Sequence, residues 1–365
     1  MTAAAQKGRL PEPRPDLGVR EGYHSTQVEV EVRLNTNESP FPPPAEWYAA
    51  LGEAIRHTEF HRYPDRGATE LRRALADLHG VRPDQVFCAN GSNEVLQSIC
   101  LAYGGPGRVA ATFEPTYAMH ASIAHLTGTG IIEAPRAADY SLDLDVARDV
   151  LAGHQPAITF LCSPNNPTGM IDDPSAVRQV LEAAPGLVVV DEAYGQFADW
   201  SAMELVEDET PLVVTRTFSK TWSLAGLRLG YVVGPAPVIA MLDRVALPYH
   251  LDVVKQQAGI LALRYNEAMQ ERVSTLVRER RRLVAGLGRL PVTLWPSQAN
   301  FILFRPDTRK GPEVWQELVD RSVLVRDTSS WPGLGGCLRV TVGTPEENDR
   351  FLEALGEILQ NGAAA

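Results

Sequence analysis

The chain is poor in the features that mark several protein classes. It has four cysteines in 365 residues: Cys88, Cys100, Cys162 and Cys337. No two of them form a CxxC pair, so a disulfide framework is not expected and the thiols read as small buried hydrophobes. Its eight histidines are scattered, with no HExxH, and no metal site is expected. No run approaches the roughly 18 apolar residues of a membrane span. Met1–Asp16, rich in Ala, Pro and charge, lacks the apolar core of a signal peptide. The expected location is therefore cytoplasmic, with no membrane partner. Positive charge is scarce too: the formal net charge is −11. Nucleic-acid binding needs clustered excess Lys and Arg, so that partner is excluded. An anionic small molecule is not, because a few arginines focused in a cleft suffice to bind one. Nor does a GxGxxG open a helix after the first strand, which disfavours a nicotinamide site.

What is present is an ordinary globular composition, 44% hydrophobic and 22% charged, in a chain long enough for one large domain and a smaller one. Short apolar runs alternate with helical patterns from Pro83 to Val233. Val86–Ala89, Val109–Thr112, Ile131–Ala134, Ile158–Leu161, Leu187–Val190 and Val213–Thr217 read as buried strands, with helices such as Val95–Tyr103 and Ala176–Ala184 between them. Near-continuous apolar strands separated by helices predict an α/β fold whose mainly parallel sheet is covered on both faces. A long charged helix over Glu267–Leu287 links this part to a smaller α+β region. That region holds strands at Asn300–Phe304, Leu324–Arg326 and Leu338–Val342 and helices at Pro312–Arg321 and from Pro345. The division expected is an N-terminal arm (1–42), a large domain (43–284) and a small domain (285–365).

Active sites in such sheets lie beyond the carboxyl ends of the strands, which singles out four segments. They are Asn90–Glu94, Ser163–Gly169, Asp191-Glu192-Ala193-Tyr194, and Thr217-Phe218-Ser219-Lys220 followed by Arg228. A lysine at a dry strand end beside other cations has a lowered pKa and can act as a neutral amine, although a lone loop lysine is usually solvated. Asp191 emerges from a buried strand, where it can hold a cofactor ring nitrogen protonated or cap a helix. Gly91–Glu94 opens a helix whose free N–H groups favour an anion. Tyr117 follows Glu114-Pro115-Thr116 and reads as a stacking platform or as core packing. Arg339 lies in the apolar strand Leu338-Arg339-Val340, where a charge is costly unless paired.

Taken together these segments resemble class I and II aminotransferases of the aspartate aminotransferase fold, over nearly the whole chain from Leu34 to Leu355. Leu34–Pro40, Arg62-Tyr63-Pro64-Asp65 and Gly336–Thr344 look most like the histidinol-phosphate aminotransferase branch. The resemblance implies pyridoxal 5′-phosphate (PLP) held covalently by Lys220, with Asp191 on the ring nitrogen and Tyr194 and Asn166 on the phenolic oxygen. It puts the cofactor phosphate among Ser92, Asn93, Thr217, Ser219 and Arg228, and Tyr117 on the ring. Tyr63 would reach the phosphate in a neighbouring subunit, so a homodimer with shared sites is implied. Arg339, Arg326, Asn37 and Tyr23 would bind the substrate. The family usually has a very small residue after the lysine, and here it is Thr221.

The activity implied is transamination between histidinol phosphate or its keto form and glutamate or 2-oxoglutarate, in histidine biosynthesis. An aromatic amino-acid aminotransferase on the same scaffold is the nearest alternative, and a PLP-dependent phospho-amino-acid decarboxylase is the next. A ligand-sensing regulator would carry a DNA-binding domain and basic charge, neither of which is apparent.

Overall fold

The computed structural model describes residues 10, 12, 14–18 and 28–361. Among these, twelve strands run in chain order: β1 Val32–Leu34, β2 Val86–Ala89, β3 Val109–Glu114, β4 Gly130–Pro135, β5 Ile158–Cys162, β6 Leu187–Asp191, β7 Leu212–Thr217, β8 Gly230–Val233, β9 Val292–Leu294, β10 Phe301–Pro306, β11 Val323–Asp327 and β12 Leu338–Thr341.

Seven of them form a sheet in the order β2-β8-β7-β6-β5-β3-β4. The run from β7 to β4 is parallel. β8 enters it antiparallel to both β2 and β7, a direction that a four-residue apolar run does not disclose in advance. Strands β2, β5, β6, β7 and β8 are buried at every position, which is why they carry no polar alternation. Helices cover both faces. Ser92–Tyr103 contributes Val95, Leu96 and Ile99 to one side, and Leu144–His154 and Pro174–Ala183 contribute Val150, Leu151 and Val180 to the other. Asp143, Asp173 and Asp252 cap their helices by accepting first-turn N–H groups.

The second sheet has the order β1-β11-β12-β10-β9. The sequence does not announce β1, a three-residue strand with its middle residue exposed. It pairs in parallel with β11, so the segment before the first helix is built into this sheet. Its core joins Phe301, Phe304 and Phe351 with the helix Asn266–Leu287, through Leu276, Leu283 and Leu287.

Candidate active site

A cavity of about 650 Å³ collects residues from both sheets. Its floor is formed where β6 and β7 end. Asp191, the last residue of β6, is buried, and its two oxygens are both engaged. Oδ1 accepts the Ala193 N–H at 3.1 Å, and Oδ2 lies 3.0 Å from His120 Nε2. His120 is itself buried, stacked on Phe160 at 4.9 Å with Tyr117 edge-on at 5.4 Å. Sequence reasoning missed His120. Its signal was position, three residues past Tyr117 on the helix after β3, and a lone histidine gives no other.

At the end of β7 the Thr217 hydroxyl donates to Ser219 Oγ at 2.9 Å, and Arg228 Nη1 donates to the same oxygen at 3.3 Å. These groups lie beside the start of the helix Ser92–Tyr103. Gly91, its N-cap, has φ +79, and a Cβ there would stand 2.8 Å from Arg228 Nη2. Only glycine leaves the guanidinium that room. Gly230 likewise lets β8 close on the helix start, since a Cβ would stand 2.3 Å from the Ser92 nitrogen. Tyr117 donates to Asn93 Oδ1 at 3.1 Å.

Lys220 Nζ donates to the Thr36 carbonyl at 2.9 Å and lies 5.8 Å from the Tyr194 ring centroid. Its pKa is pushed down to about 7, first by burial, then by Arg339 and Arg228, with Glu38 pulling the other way. Burial raises the Tyr194 phenol to about 12 against the opposing pull of Arg339 and Asn37. It therefore stays protonated, and it accepts from Asn37 Nδ2 at 2.9 Å. Asn37 also takes the Thr341 hydroxyl at 3.1 Å on Oδ1, which ties the floor to the second sheet. The Ser163–Gly169 loop is fixed by buried Asn165, which donates to the Pro115 carbonyl and to Thr168 Oγ1 and accepts from the Thr116 hydroxyl. This leaves Asn166 facing the cavity beside Arg339, whose Nη1 donates to its Oδ1.

The wall is the antiparallel pair β11–β12, in which Arg326 stands directly opposite Arg339. Arg339 is buried, donates to the Asn35 carbonyl at 2.9 Å and packs over Phe301. Thus, among the described residues, every one to which the resemblance gives a site role lines this one cavity except Tyr63. Tyr63 lies outside it, 80% exposed and stacked on Tyr249 at 4.5 Å. Tyr23 lies outside the described residues. Trp331, which sequence reasoning did not single out, lines the cavity beside Arg326.

Such a floor, with a half-buried lysine whose pKa lies near neutrality and a donor-rich cup suited to an anion, has the make-up of an enzyme site. The chain matches the family of class I and II aminotransferases over residues 29–355. It is 42% identical to the histidinol-phosphate aminotransferase of Corynebacterium diphtheriae, over 95% of this chain and 96% of that protein. It is 45% identical to the histidinol-phosphate aminotransferase of Thermobifida fusca, over 94% of each. A solved histidinol-phosphate aminotransferase from Sinorhizobium meliloti, in complex with pyridoxal-5′-phosphate, superposes with a TM-score of 0.82 at 23% identity, covering 91% of this chain and 92% of that one. The last likeness concerns the fold. The chain belongs to the class I and II aminotransferases, whose cofactor is PLP.

The residues present fit that group. The helix start, two hydroxyls and Arg228 make a cup of donors for a phosphate. Asp191 would offer a carboxylate to a protonated ring nitrogen, and Lys220 would offer an amine that is neutral for part of its population at neutral pH. No metal-ligating cluster occurs among the described residues, and none of the described helices is long and apolar enough to cross a membrane.

Proposed function

We propose that this chain transfers the amino group between glutamate and imidazole-acetol phosphate, giving 2-oxoglutarate and histidinol phosphate, within histidine biosynthesis in the cytoplasm. The observation that carries the substrate side of this reading is the cross-strand pair Arg326 and Arg339 on one wall of the cavity. Two planar donor forks side by side suit a dianion such as a phosphate, and the two curated relatives carry that substrate in their names.

In this reading residues 43–284 hold the cofactor, while 285–365 with the arm 1–42 present the anion site. Lys220 holds the cofactor and moves the proton at Nζ. Its depressed pKa keeps the free amine available as a base near neutrality. When bound, PLP supplies the electron sink for the substrate's Cα–H bond. Asp191, oriented by His120, keeps the ring-nitrogen end positive. The protonated Tyr194 hydroxyl and the Asn166 amide would hold the cofactor's ring oxygen, and Tyr117 would pack on its ring. Ser92, Asn93, Thr217, Ser219 and Arg228 hold the phosphate. Arg339, with Arg326, Asn37 and Tyr23, takes the substrate's anionic group. Tyr63, exposed on its stack with Tyr249, would complete the site of a second copy in a homodimer.

The test is the visible absorbance band of the lysine-bound cofactor. It should convert on adding glutamate and return on adding imidazole-acetol phosphate. Return only with phenylpyruvate would replace this reading by an aromatic amino-acid aminotransferase. Release of carbon dioxide from a phosphorylated amino acid would point to a decarboxylase.

A further inference from the structure

We propose that Thr341 is a positioning residue for the amino transfer: it fixes which way round the Asn37 amide stands, and this leaves the Tyr194 hydroxyl proton for the cofactor's ring oxygen. The inference rests on the role given above to Tyr194 and names a residue that the reading does not use.

A primary amide has nearly the same outline either way round, so its partners decide which end faces which neighbour. Asn37 lies between Thr341, the last residue of β12, and Tyr194, just past the end of β6. All three are buried. The relay starts from a group that can only donate: the Asn37 backbone N–H gives its proton to Thr341 Oγ1 at 3.0 Å. The Thr341 hydroxyl donates in turn, and Asn37 Oδ1, at 3.1 Å, is the one acceptor it meets among the described residues. With Oδ1 turned to Thr341, Nδ2 is turned to Tyr194 and donates to the phenol oxygen at 2.9 Å. That bond does not use the Tyr194 proton. Burial holds the phenol up at about 12, so the proton is present at neutral pH. It is left for the cavity, which Tyr194 lines together with Lys220.

The reversed amide is what Thr341 prevents. Nδ2 would then face Thr341, whose hydroxyl proton would lie buried without an acceptor, at the cost of an unmade hydrogen bond. Oδ1 would face Tyr194 and draw in its proton, and the ring oxygen would lose a donor. The backbone of Asn37 is held for the same arrangement. It takes φ +55, a left-handed value that asparagine tolerates better than most residues. Its carbonyl accepts from buried Asn300 Nδ2 at 3.1 Å. One N–H and one lone pair of the Asn37 amide stay outside the relay, so the same side chain can still meet a substrate.

The test reads the pH midpoint of the visible band of lysine-bound cofactor, in wild-type holoenzyme and in Thr341→Val, Thr341→Ser and Tyr194→Phe. That midpoint reports the proton on Lys220 Nζ. A donor on the ring oxygen beside it draws off negative charge that favours the proton, so losing the donor raises the midpoint. Tyr194→Phe deletes the donor and should raise it by about 1–2 pH units, the scale of one hydrogen bond to a charged group. Thr341→Val keeps the shape and removes the hydroxyl, which frees the amide to turn. Its midpoint should rise by a smaller amount, on the order of 0.5–1 unit. Thr341→Ser, which keeps the hydroxyl, should keep the wild-type midpoint. In the double variant Thr341→Val/Tyr194→Phe the midpoint should equal that of Tyr194→Phe, because no proton is left to direct. A wild-type midpoint in Thr341→Val would overturn the proposal, and so would shifts that simply add in the double variant or a serine that behaves as valine. If Tyr194→Phe itself leaves the midpoint in place, the role of Tyr194 falls and takes the proposal with it. Should Thr341→Val not fold, Asn37→Asp replaces it, since a carboxylate has no proton to give Tyr194 and accepts the one it holds. Asn37→Asp should then raise the midpoint more in the presence of Tyr194 than in the Tyr194→Phe background, and equal rises would overturn the proposal.

Discussion

The floor and the wall of the cavity use charge in opposite ways. Beneath the floor, the residue after Asp191 is Glu192 and the residue before Thr217 is Arg216. By the alternation of a strand these two point away from Asp191 and Thr217. They meet in a buried pair, with Arg216 Nη2 2.7 Å from Glu192 Oε2 and Ser201 bonded to both side chains. Arg136 and Asp172 form a second such pair behind β3, both side chains about 1% exposed. In the wall, by contrast, Arg326 and Arg339 are set against each other and against aromatic faces, and both line the cavity. An arginine matched by a carboxylate in the same layer serves the fold. In the function proposed above, the two arginines that line the cavity together serve a ligand. Burial alone does not separate the two, since Arg216 is 8% exposed and Arg339 4%.

That contrast can be broken by substitution, and the largest effect is expected on the floor. Lys220→Ala should lower the rate of the glutamate half-reaction by roughly 10²–10⁴, the scale of a lost positioned base. Stopped-flow absorbance would measure it, and a rate within tenfold of wild type would remove Lys220 from the chemistry. Next comes the pair beneath. Glu192→Leu, which leaves Arg216 buried without its carboxylate, should cost about 3–5 kcal/mol of stability. The double variant Glu192→Leu/Arg216→Met should regain most of it, as read by urea denaturation. If the double variant is no more stable than the single, the two residues do not act as a matched pair. Arg339→Leu should do the reverse. Its cost should appear as about 2–5 kcal/mol of dianion binding by titration calorimetry, while the cofactor's visible absorbance remains. A loss of the cofactor band with no change in dianion affinity would assign Arg339 to the floor.

The same contrast explains what could be read in advance. The parallel strands were legible because each is a near-continuous apolar run, and the floor followed from the rule that sites lie past their carboxyl ends. Asp191, Lys220 and Asn166 all sit where that rule puts them. The antiparallel entry of β8 was not legible, because Gly230-Tyr231-Val232-Val233 reads the same in either direction. β1 has too few residues for a pattern, and pairing with β11, nearly three hundred positions away in sequence, decides it. Arg339 was found through its apolar strand and Arg326 through the family resemblance, but Trp331 lies in a turn, where no periodicity operates. His120 was lost for a related reason, since a histidine inside a helix carries no mark of the carboxylate it will meet.

Floor and wall are nevertheless coupled, and pH offers the finest test of it. Burial lowers the Lys220 pKa most, and Arg339 across the cavity is the next cause, bringing it to about 7 against 10.5 for the free side chain. Between those values the unfolded chain holds a proton that the folded chain has released. Unfolding therefore takes up a proton, and the cofactor-free protein gains stability as pH rises through this window, by at most about 1.4 kcal/mol per pH unit. Below pH 7 both states are protonated, the unfavourable burial of the charge is fully felt, and the contribution is flat. Urea denaturation of cofactor-free wild type and Lys220→Met at pH 7, 8 and 9 isolates this slope, because other titrating groups are common to both. Wild type should gain on the variant with each step. Parallel curves would mean that the folded lysine titrates as in water. Repeating the pair in an Arg339→Leu background should move the onset of the gain to higher pH, because one cation that disfavours the charged lysine is gone. An unmoved onset would mean that the wall binds anions without tuning the base below it.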